Sequence, residues 1–192
     1  MLKVNETAFL KLASARRSIR AFQDRPVQRE KLELCLEAAR LAPSACNAQP
    51  WKFVVVDDPS LRKRMAEAVF SGAYAINKHA AAAPVLVAVV SQRGSALAWV
   101  GNQVQGTVFR LVDIGIACEH FVLQAAELGL GTCWLGWFDA KAASKLLGVP
   151  RGHRVEMLLS VGYPAESPAP RPRRSLAETS SFNGYGPGPA AS

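Results

Sequence analysis

The sequence lacks any apolar run long enough to cross a membrane. A spanning helix needs about 20 mainly apolar residues, whereas the longest apolar run here, residues 80–90, is shorter and is broken by Pro84. The N-terminus also lacks the basic stretch and the following apolar stretch of a secretory signal. We therefore expect neither a membrane span nor a secretory leader.

Cysteine is also scarce, since the 192 residues include only four, at positions 35, 46, 118 and 133. No two of them form a CxxC pair, and a chain of this length can bury a core without disulfide cross-links. We therefore expect reduced thiols, most of them buried, in a cytoplasmic protein.

The motifs of several common enzyme classes are missing. The chain has no GxxxxGK[ST] phosphate loop, no HExxH and no GxSxG. After Gly129 and Gly131, Trp134 stands where a dinucleotide-binding fingerprint needs its third glycine. The three histidines are too widely spaced to indicate a metal site, and no metal is expected.

Aromatic residues make up only 8% of the chain, although its net charge is +8. A basic protein can bind nucleic acid, a membrane surface or a small anion. Lysine and arginine are scattered apart from two short groups, at residues 16–20 and 171–174, and no basic stripe or nucleic-acid-reading motif is present. We expect neither nucleic acid nor a membrane as partner, although a small nucleic-acid-binding protein remains the alternative from another class.

Hydrophobic spacing predicts alternating helices and strands around one core. Helices are expected over residues 6–15, 32–41, 59–71, 108–128 and 139–147, with further helix before 108 interrupted near Gly101 or Gly106. Strands are expected over residues 53–56, 84–90 and 154–162, and a strand followed by a turn over residues 131–137. Asp58 and Asp139 are predicted N-caps, and Gly129 a C-cap. The helix over 108–128 is apolar around much of its girth and should be central. The order favours an α/β or α+β three-layer sandwich, and the continuous apolar strands suit a sheet covered on both faces.

The loop over residues 43–51 is unusually elaborate for a helix-to-strand connection. Pro43 stops the preceding helix, and Pro50 favours extended backbone at Gln49. Between the prolines, Ser44 and Asn47 offer polar side chains on a backbone that is held at both ends. Loops of this kind often carry function, although the local residues alone support a purely structural turn equally well.

The two arginine groups share a pattern despite their separation in sequence. In an extended segment, Ser18 and Arg20 would face one ligand while Ile19 packs inward. Arg171 and Arg173 repeat the alternate spacing. Guanidinium groups and a hydroxyl suit a phosphate monoester, although one such group alone is more often a solvated basic turn. Two groups favour one anionic ligand that brings its own chemistry, because no nucleophile or acid–base pair is evident.

These segments resemble the nitroreductase family of FMN-dependent oxidoreductases. Residues 16–22 (RRSIRAF) are similar to the family's N-terminal signature, and residues 43–53 (PSACNAQPWKF) to its second signature. Residues 113–136 match its central helix and the next strand, and residues 162–176 its last core strand and returning tail. The resemblance runs in order from about residue 10 to 186.

The resemblance implies an α+β fold, a three-layer α/β/α sandwich with a central, mostly antiparallel sheet. It also implies a domain-swapped, obligate homodimer with two FMN sites at the interface. Residues 1–165 would form the FMN-binding domain. Residues 166–192 would form a C-terminal extension that wraps the partner subunit, with the last eight or so residues lacking fixed structure.

The resemblance further assigns the cofactor-binding residues. The FMN phosphate and the ring's N1/O2 edge would be held by Arg16, Arg17, Ser18 and Arg20, with Arg173 and either Arg171 or Arg174 at the phosphate. The partner subunit would line the ring and ribityl chain with Pro43, Ser44 and Asn47. The polar edge and the N5 side of the ring would be lined by Asn77 and by Trp134, Leu135 and Gly136, with a backbone N–H near N5. No catalytic side chain is implied, because the chemistry would take place at N5 of FMN.

The function implied is ping-pong electron transfer from NAD(P)H through FMN to a nitroaromatic, quinone or similar acceptor. Arg20 near N1/O2 would stabilise the negative charge of reduced flavin. The chain is a short form without long insertions over the active site, so an open pocket is expected. The alternatives are a specialised enzyme of the same fold (dehalogenating, flavin-destroying or azoline-oxidising) and a non-catalytic flavin-binding protein.

Overall fold

The structure, a computed structural model, describes residues 7–92 and 107–186. The predicted interruption near Gly101 or Gly106 and the end of the tail lie outside these residues. The α-helices are α1 (Ala8–Ala15), α2 (Arg29–Arg40), α3 (Pro59–Val69), α4 (Phe109–Glu127), α5 (Ala140–Leu146) and α6 (Leu176–Thr179). The strands are β1 (Trp51–Val56), β2 (Val85–Ser91), β3 (Gly131–Leu135) and β4 (Arg154–Gly162). Two 3₁₀ segments cover Ala45–Asn47 and Gly72–Ala82.

The four described strands form one antiparallel sheet in the order β1-β2-β4-β3. Every residue of β2 is buried, because β1 and β4 flank it and helices cover both of its faces. A continuous apolar run is typical of parallel strands, but here it reports coverage on both faces rather than strand direction. The predicted α+β sandwich with a mostly antiparallel sheet is confirmed.

Alternate residues of β2 divide the core into two layers. Val87 packs toward α2 and α4, in a cluster that contains Phe121. Leu86 packs toward α3 and α5, in a cluster that contains Met65. Successive side chains of a strand point to opposite faces, so each face of the sheet acquires its own helical layer.

The helix α4 is central, as predicted, but it is not covered all round. Its inner face buries Cys118 and Phe121, which are fully inaccessible. At its N-terminal end, Leu111 and Val112 are 44% and 51% exposed. The apolar residues of α4 therefore fall into two groups. One group packs in the core, and the other lies on an outward face that the chain itself does not cover. None of the described helices has the length and apolar character needed to span a membrane.

The predicted helix ends depend on local caps, and these are confirmed. Asp58 accepts a hydrogen bond from the Leu61 N–H at 2.7 Å, with Pro59 at the first helical position. Asp139 caps α5 in the same way. Gly129 follows α4 with φ +75°, a backbone that side-chain-bearing residues rarely adopt. The segment Gly72–Ala82 and the helix α6 were not predicted.

All four thiols are free, and three of them are buried, as expected. Burial raises the pKa of Cys35 and of Cys118 to about 12, so both remain protonated at neutral pH. Cys46 is exposed, on the loop that leads into β1.

Candidate functional site

The first arginine group lies along the edge of the sheet. The N–H of Ile19 donates to the carbonyl of Thr132 in the edge strand β3 at 2.9 Å, and Ser18 forms a parallel bridge with the same residue. Ile19 is buried beside Gly131, where a Cβ would come within 2.7 Å of Ile19 Cγ1. The inward packing of Ile19 is confirmed, and Ser18 and Arg20 line a cleft.

The chain after β4 returns along the same segment. The N–H of Ala165 donates to the carbonyl of Ala21, and the N–H of Gln23 donates to the carbonyl of Tyr163, both at 2.9 Å. Phe22 and Pro164 form a further bridge. This pairing brings the proline-rich tail, which begins at Pro164, back to the first arginine group.

The tail and residues 13–20 enclose a cleft of about 420 Å³. It is lined by the predicted phosphate-site residues Arg16, Arg17, Ser18, Arg20, Arg171 and Arg173. The two arginine groups, separated by about 150 residues of sequence, therefore meet in one place. Arg171 lines the cleft with Arg173, whereas Arg174 is not among its lining residues. Binding of an FMN phosphate by these side chains stays a prediction.

The arginines of the cleft differ in how their charges are used. Arg16 lies 3.7 Å from the carboxylate of Glu119 on α4. Burial raises the pKa of Glu119, and the positive charge of Arg16 partly opposes this rise. Arg17 donates from Nε to the carbonyl of Pro168 at 3.2 Å and from Nη1 to the carbonyl of Arg16 at 2.9 Å. Within the described residues, Arg16 is the only one of the five cleft arginines that forms an ion pair with a carboxylate. The cleft thus keeps uncompensated positive charge.

The segment Gly72–Ala82 lies against the end of β3. Asn77 Nδ2 donates to the carbonyl of Trp137 at 2.8 Å, and Trp137 Nε1 donates to the carbonyl of Ala73 at 2.9 Å. Asn77 is thereby brought to the chain that follows Trp134, Leu135 and Gly136, as the predicted site requires. One of its amide hydrogens is used by this backbone contact, and its approach to a flavin ring stays a prediction.

Two residues near the first arginine group escaped the sequence analysis. Glu166 Oε1 accepts hydrogen bonds from the backbone N–H groups of Arg20 and Ala21. His79 has a buried Nε2 without a hydrogen-bond partner in the described structure. Burial lowers the pKa of His79. A hydrogen bond with the backbone of Ile76 opposes this effect, and the smaller influences of Arg20 and Glu166 lower and raise the pKa, respectively. Both residues follow unremarkable local sequence, so only the fold could reveal them.

The loop over residues 43–51 is held by polar contacts, in a conformation that differs from the predicted one. Gln49 has φ +45°, which excludes the extended backbone expected before Pro50. The Gln49 N–H donates to Ser44 Oγ at 2.9 Å, and its side-chain amide donates to Asn47 Oδ1 at 3.0 Å. These contacts compensate a left-handed backbone that costs about 1–2 kcal/mol per residue.

The loop and the arginine cleft are separate within one chain. Among the described residues, neither Pro43, Ser44 nor Asn47 lines that cleft. Cys46 and Asn47 also have positive φ, at 51° and 52°. The loop therefore presents its polar groups on a strained but well-anchored backbone, outside the arginine cleft of its own chain.

Comparison with known proteins gives consistent matches over most of the chain. The family model described as "Nitroreductase family" matches residues 13–163. A protein of Archaeoglobus fulgidus, provisionally named NADH dehydrogenase/NAD(P)H nitroreductase, is 37% identical over 161 residues, covering 82% of this chain and 86% of that protein. The NADH dehydrogenase of Thermus thermophilus is 32% identical and covers 89% of this chain and 92% of its own length.

Solved structures and more distant relatives extend this picture. The FMN-dependent nitroreductase of Clostridium difficile is 30% identical with a TM-score of 0.71, over 91% of this chain and 98% of that chain. The iodotyrosine deiodinase of Thermotoga neapolitana is 26% identical, over 86% of this chain and 93% of its own length. The matched region contains the first arginine group, the loop over residues 43–51 and every strand of the sheet.

Proposed function

The chain belongs to the nitroreductase family, and from this premise we propose that it is an FMN-dependent oxidoreductase that uses NAD(P)H. Relatives named as NAD(P)H nitroreductase and NADPH-flavin oxidoreductase make it an oxidoreductase. Its acceptors in this proposal are nitroaromatics, quinones or similar electron-poor molecules. The two substrates use the same face of the site in turn, in a ping-pong sequence.

The observation that carries the proposal is the convergence of two arginine groups and one hydroxyl on a single cleft. A phosphate monoester offers up to two negative charges and several hydrogen-bond acceptors. Guanidinium groups match such acceptors in charge and geometry. Because four of the five arginines are not paired with a carboxylate in the described structure, the residues present fit the phosphate of FMN.

The rest of the chain supplies orientation and electrostatics. FMN, when bound, provides a ring that accepts a hydride and passes electrons onward. Arg20 stabilises negative charge at the N1/O2 edge of that ring. Asn77 and the stretch of Trp134, Leu135 and Gly136 would border the ring, and this stretch would offer a backbone N–H toward N5. No side chain is assigned as a catalytic acid or base.

We also propose that the active form is a homodimer in which Pro43, Ser44 and Asn47 serve the site of the other subunit. Two features support this assembly. The apolar side chains of Phe9 and Leu41 border an open groove, although they are 62% and 63% exposed. Solvent-exposed apolar surface of this kind is typical of protein interfaces.

The second feature is that the tail also exposes large apolar side chains. Leu176 and Phe182 are 78% and 81% exposed, so they lack an apolar surface to contact within their own chain. In this proposal residues 1–165 form the FMN-binding domain, and the extension over residues 166–192 wraps the partner. The start of the extension is nevertheless paired with its own chain, through Glu166 and the adjoining Ala165.

A second candidate is a dehalogenating flavin enzyme of the same fold. Similarity to the iodotyrosine deiodinase of Thermotoga neapolitana over 86% of this chain supports it. The two candidates share the cofactor and differ in the acceptor. Iodotyrosine in the substrate panel therefore separates them.

The test starts from the purified full-length protein reconstituted with FMN. A yellow protein whose flavin band bleaches anaerobically with NADH or NADPH, and recovers on addition of a nitroaromatic or quinone, supports the proposal. Ser18→Ala and Arg20→Ala should each weaken FMN binding about tenfold or more, since each removes a hydrogen bond to a charged group. Arg151→Ala, at an exposed turn outside the cleft, is the matched control.

Three outcomes would count against the proposal. A protein that cannot take up FMN excludes a flavin enzyme. A yellow protein that neither nicotinamide reduces would be a flavin carrier or a specialised enzyme. Efficient turnover of iodotyrosine without turnover of nitroaromatics or quinones would favour the dehalogenating candidate.

A further inference from the structure

Two side chains join the tail to the first arginine group in opposite directions. Arg17 reaches from that group to the tail, where its Nε donates to the carbonyl of Pro168 at 3.2 Å. Glu166 reaches from the tail to the backbone N–H groups of Arg20 and Ala21, the latter at 3.2 Å. Each contact pairs a charged side chain of one segment with the main chain of the other.

We propose that Glu166 is a positioning residue that holds the tail so that Arg171 and Arg173 face the phosphate of the ligand. The inference rests on the proposed function, because the ligand is FMN. It extends that function, because it makes a residue outside the cleft responsible for the preference for a phosphorylated flavin over an unphosphorylated one. Glu166 itself does not contact the ligand in this proposal.

The sequence around Glu166 explains why a side chain is needed here. Main-chain pairing between the two segments ends at Ala165. Beyond it, residues 168, 170 and 172 are prolines, which have no N–H to donate. The strand-like pairing therefore cannot continue, and the side chains of Glu166 and Arg17 replace it.

The same prolines make the anchor effective at a distance. Proline fixes φ and favours an extended, semi-rigid chain. From Glu166 to Arg171 an extended chain of this type spans about 15 Å, at about 3.1 Å per residue. Because a stiff arm keeps the direction set at its base, an anchor at Glu166 determines where the two arginines lie.

Glu166 is not among the residues that line the arginine cleft. It lines a neighbouring crevice with Ile19 and Thr132, and this crevice shares Arg16, Arg17 and Pro168 with the cleft. The contribution of Glu166 is therefore two accepted hydrogen bonds rather than a charge offered to the ligand. A glutamine can still accept hydrogen bonds through its amide oxygen, so Glu166→Gln should keep the function that Glu166→Ala loses.

The experiment compares FMN with riboflavin, which lacks the phosphate. Dissociation constants for both flavins are measured by fluorescence quenching on the full-length protein and on Glu166→Ala, Glu166→Gln and Glu178→Ala. Glu178 is a matched control, because its carboxylate lies on the same tail but bonds only to Ser175 in the described structure. We expect Glu166→Ala to weaken FMN binding about tenfold and to leave riboflavin binding unchanged. Glu166→Gln and Glu178→Ala should match the wild type.

A second measurement tests the arm without any flavin. Trypsin cleaves after Arg173 and Arg174, and mass spectrometry gives the rate of cleavage in the apoprotein. Glu166→Ala should be cleaved faster at these sites than the wild type and Glu166→Gln, because its tail is released more often. Glu166 is exposed, so the variant should fold; if it does not, Glu166→Ser is judged by the same criteria.

Several results would overturn the inference. Wild-type affinity of Glu166→Ala for FMN would show that the phosphate site does not depend on this anchor, even if cleavage were faster. An equal loss of FMN and riboflavin binding would indicate general damage to the site. A wild-type protein that binds no FMN would instead overturn the proposed function, so the two failures are distinguishable.

Discussion

The carboxylate of Asp113 accepts a hydrogen bond from the backbone N–H of Ala45 at 3.0 Å. Asp113 belongs to the first half of α4 and is only 4% exposed. Ala45 begins the 3₁₀ turn in which Cys46 and Asn47 have positive φ. A buried charge on the central helix thus holds a strained loop in place. The same loop carries the residues proposed to serve the partner's flavin site.

Removing this contact should loosen the loop. Asp113→Ala should lower the free energy of unfolding by about 1.5–3 kcal/mol, the usual worth of a hydrogen bond to a charged group. FMN affinity should fall with it, because Ser44 and Asn47 lose their fixed positions. Urea unfolding of the apoprotein and flavin titration give the two values. Asp113→Asn, which keeps an acceptor oxygen, is the control and should lose less; equal stability of all three proteins would disprove the role.

The close approach of Gly131 and Ile19 gives a second prediction. Gly131→Ala places a Cβ within 2.7 Å of the Ile19 side chain, so residues 16–20 must move away from β3. We expect a loss of about 1–3 kcal/mol in stability, the usual cost of overpacking, and weaker FMN binding.

The double variant Gly131→Ala, Ile19→Gly removes the clash, because it deletes the Cβ and both γ-carbons of Ile19 that lie within 2.9 Å of the added Cβ. It should recover part of the FMN affinity even though it loses core packing. Thermal unfolding and flavin titration of the single and double variants form the test. A Gly131→Ala protein with wild-type affinity would mean that the segment tolerates displacement.

The pKa of His79 gives a prediction for pH. Burial and the nearby Arg20 lower this pKa in the folded state, so the unfolded chain binds a proton first as pH falls below about 6.5. The contribution of His79 to the free energy of unfolding is therefore fully present above that pH. It is lost as the pH falls through the folded pKa. Urea unfolding of the apoprotein between pH 7.5 and 5.5 should show a smaller decrease in His79→Asn than in the wild type. Parallel curves for the two proteins would contradict this.

The outward face of α4 gives a prediction for assembly. Val112→Arg adds a charge to an apolar surface that is half exposed in one chain. If this surface is buried between subunits, the charge should dissociate the dimer, and the monomer should bind FMN poorly. Light scattering after size exclusion and the flavin-to-protein ratio measure the two effects.

Lys63→Glu, on α3 in the other helical layer, is the control and should change neither value. A Val112→Arg dimer with full flavin content would place the interface elsewhere. A Val112→Arg monomer that binds FMN tightly would show that one chain completes the site, contrary to the proposed contribution of Ser44 and Asn47.

Much of the secondary structure could be predicted because its causes are local. The carboxylates of Asp58 and Asp139 cap the helices that follow them, and Gly129 ends α4 in a left-handed conformation. The strand over Arg154–Gly162 has the predicted bounds. Each of these depends on residues within a turn or two of one another, which the sequence shows directly.

The predictions that failed or were missing depend on contacts between distant residues. Gln49 has a left-handed backbone because its hydrogen bonds with Ser44 and Asn47 compensate the strain. These hydrogen bonds outweigh the local preference for extended backbone that Pro50 sets. The segment Gly72–Ala82 is fixed by its contacts with Trp137. Neither contact has a signal in the local pattern.

For the candidate site, the sequence alone determined the chemistry: guanidinium groups at alternate positions, a serine between them and a polar loop between prolines. Residue type and spacing are enough to indicate an anionic ligand. Only the tertiary structure decided that the two arginine groups share one cleft and that Glu166 and Arg17 tie them together. The reason is physical, since pairing between residues 19–23 and 163–166 closes a loop of about 140 residues, and such a contact depends on the whole core that lies between them.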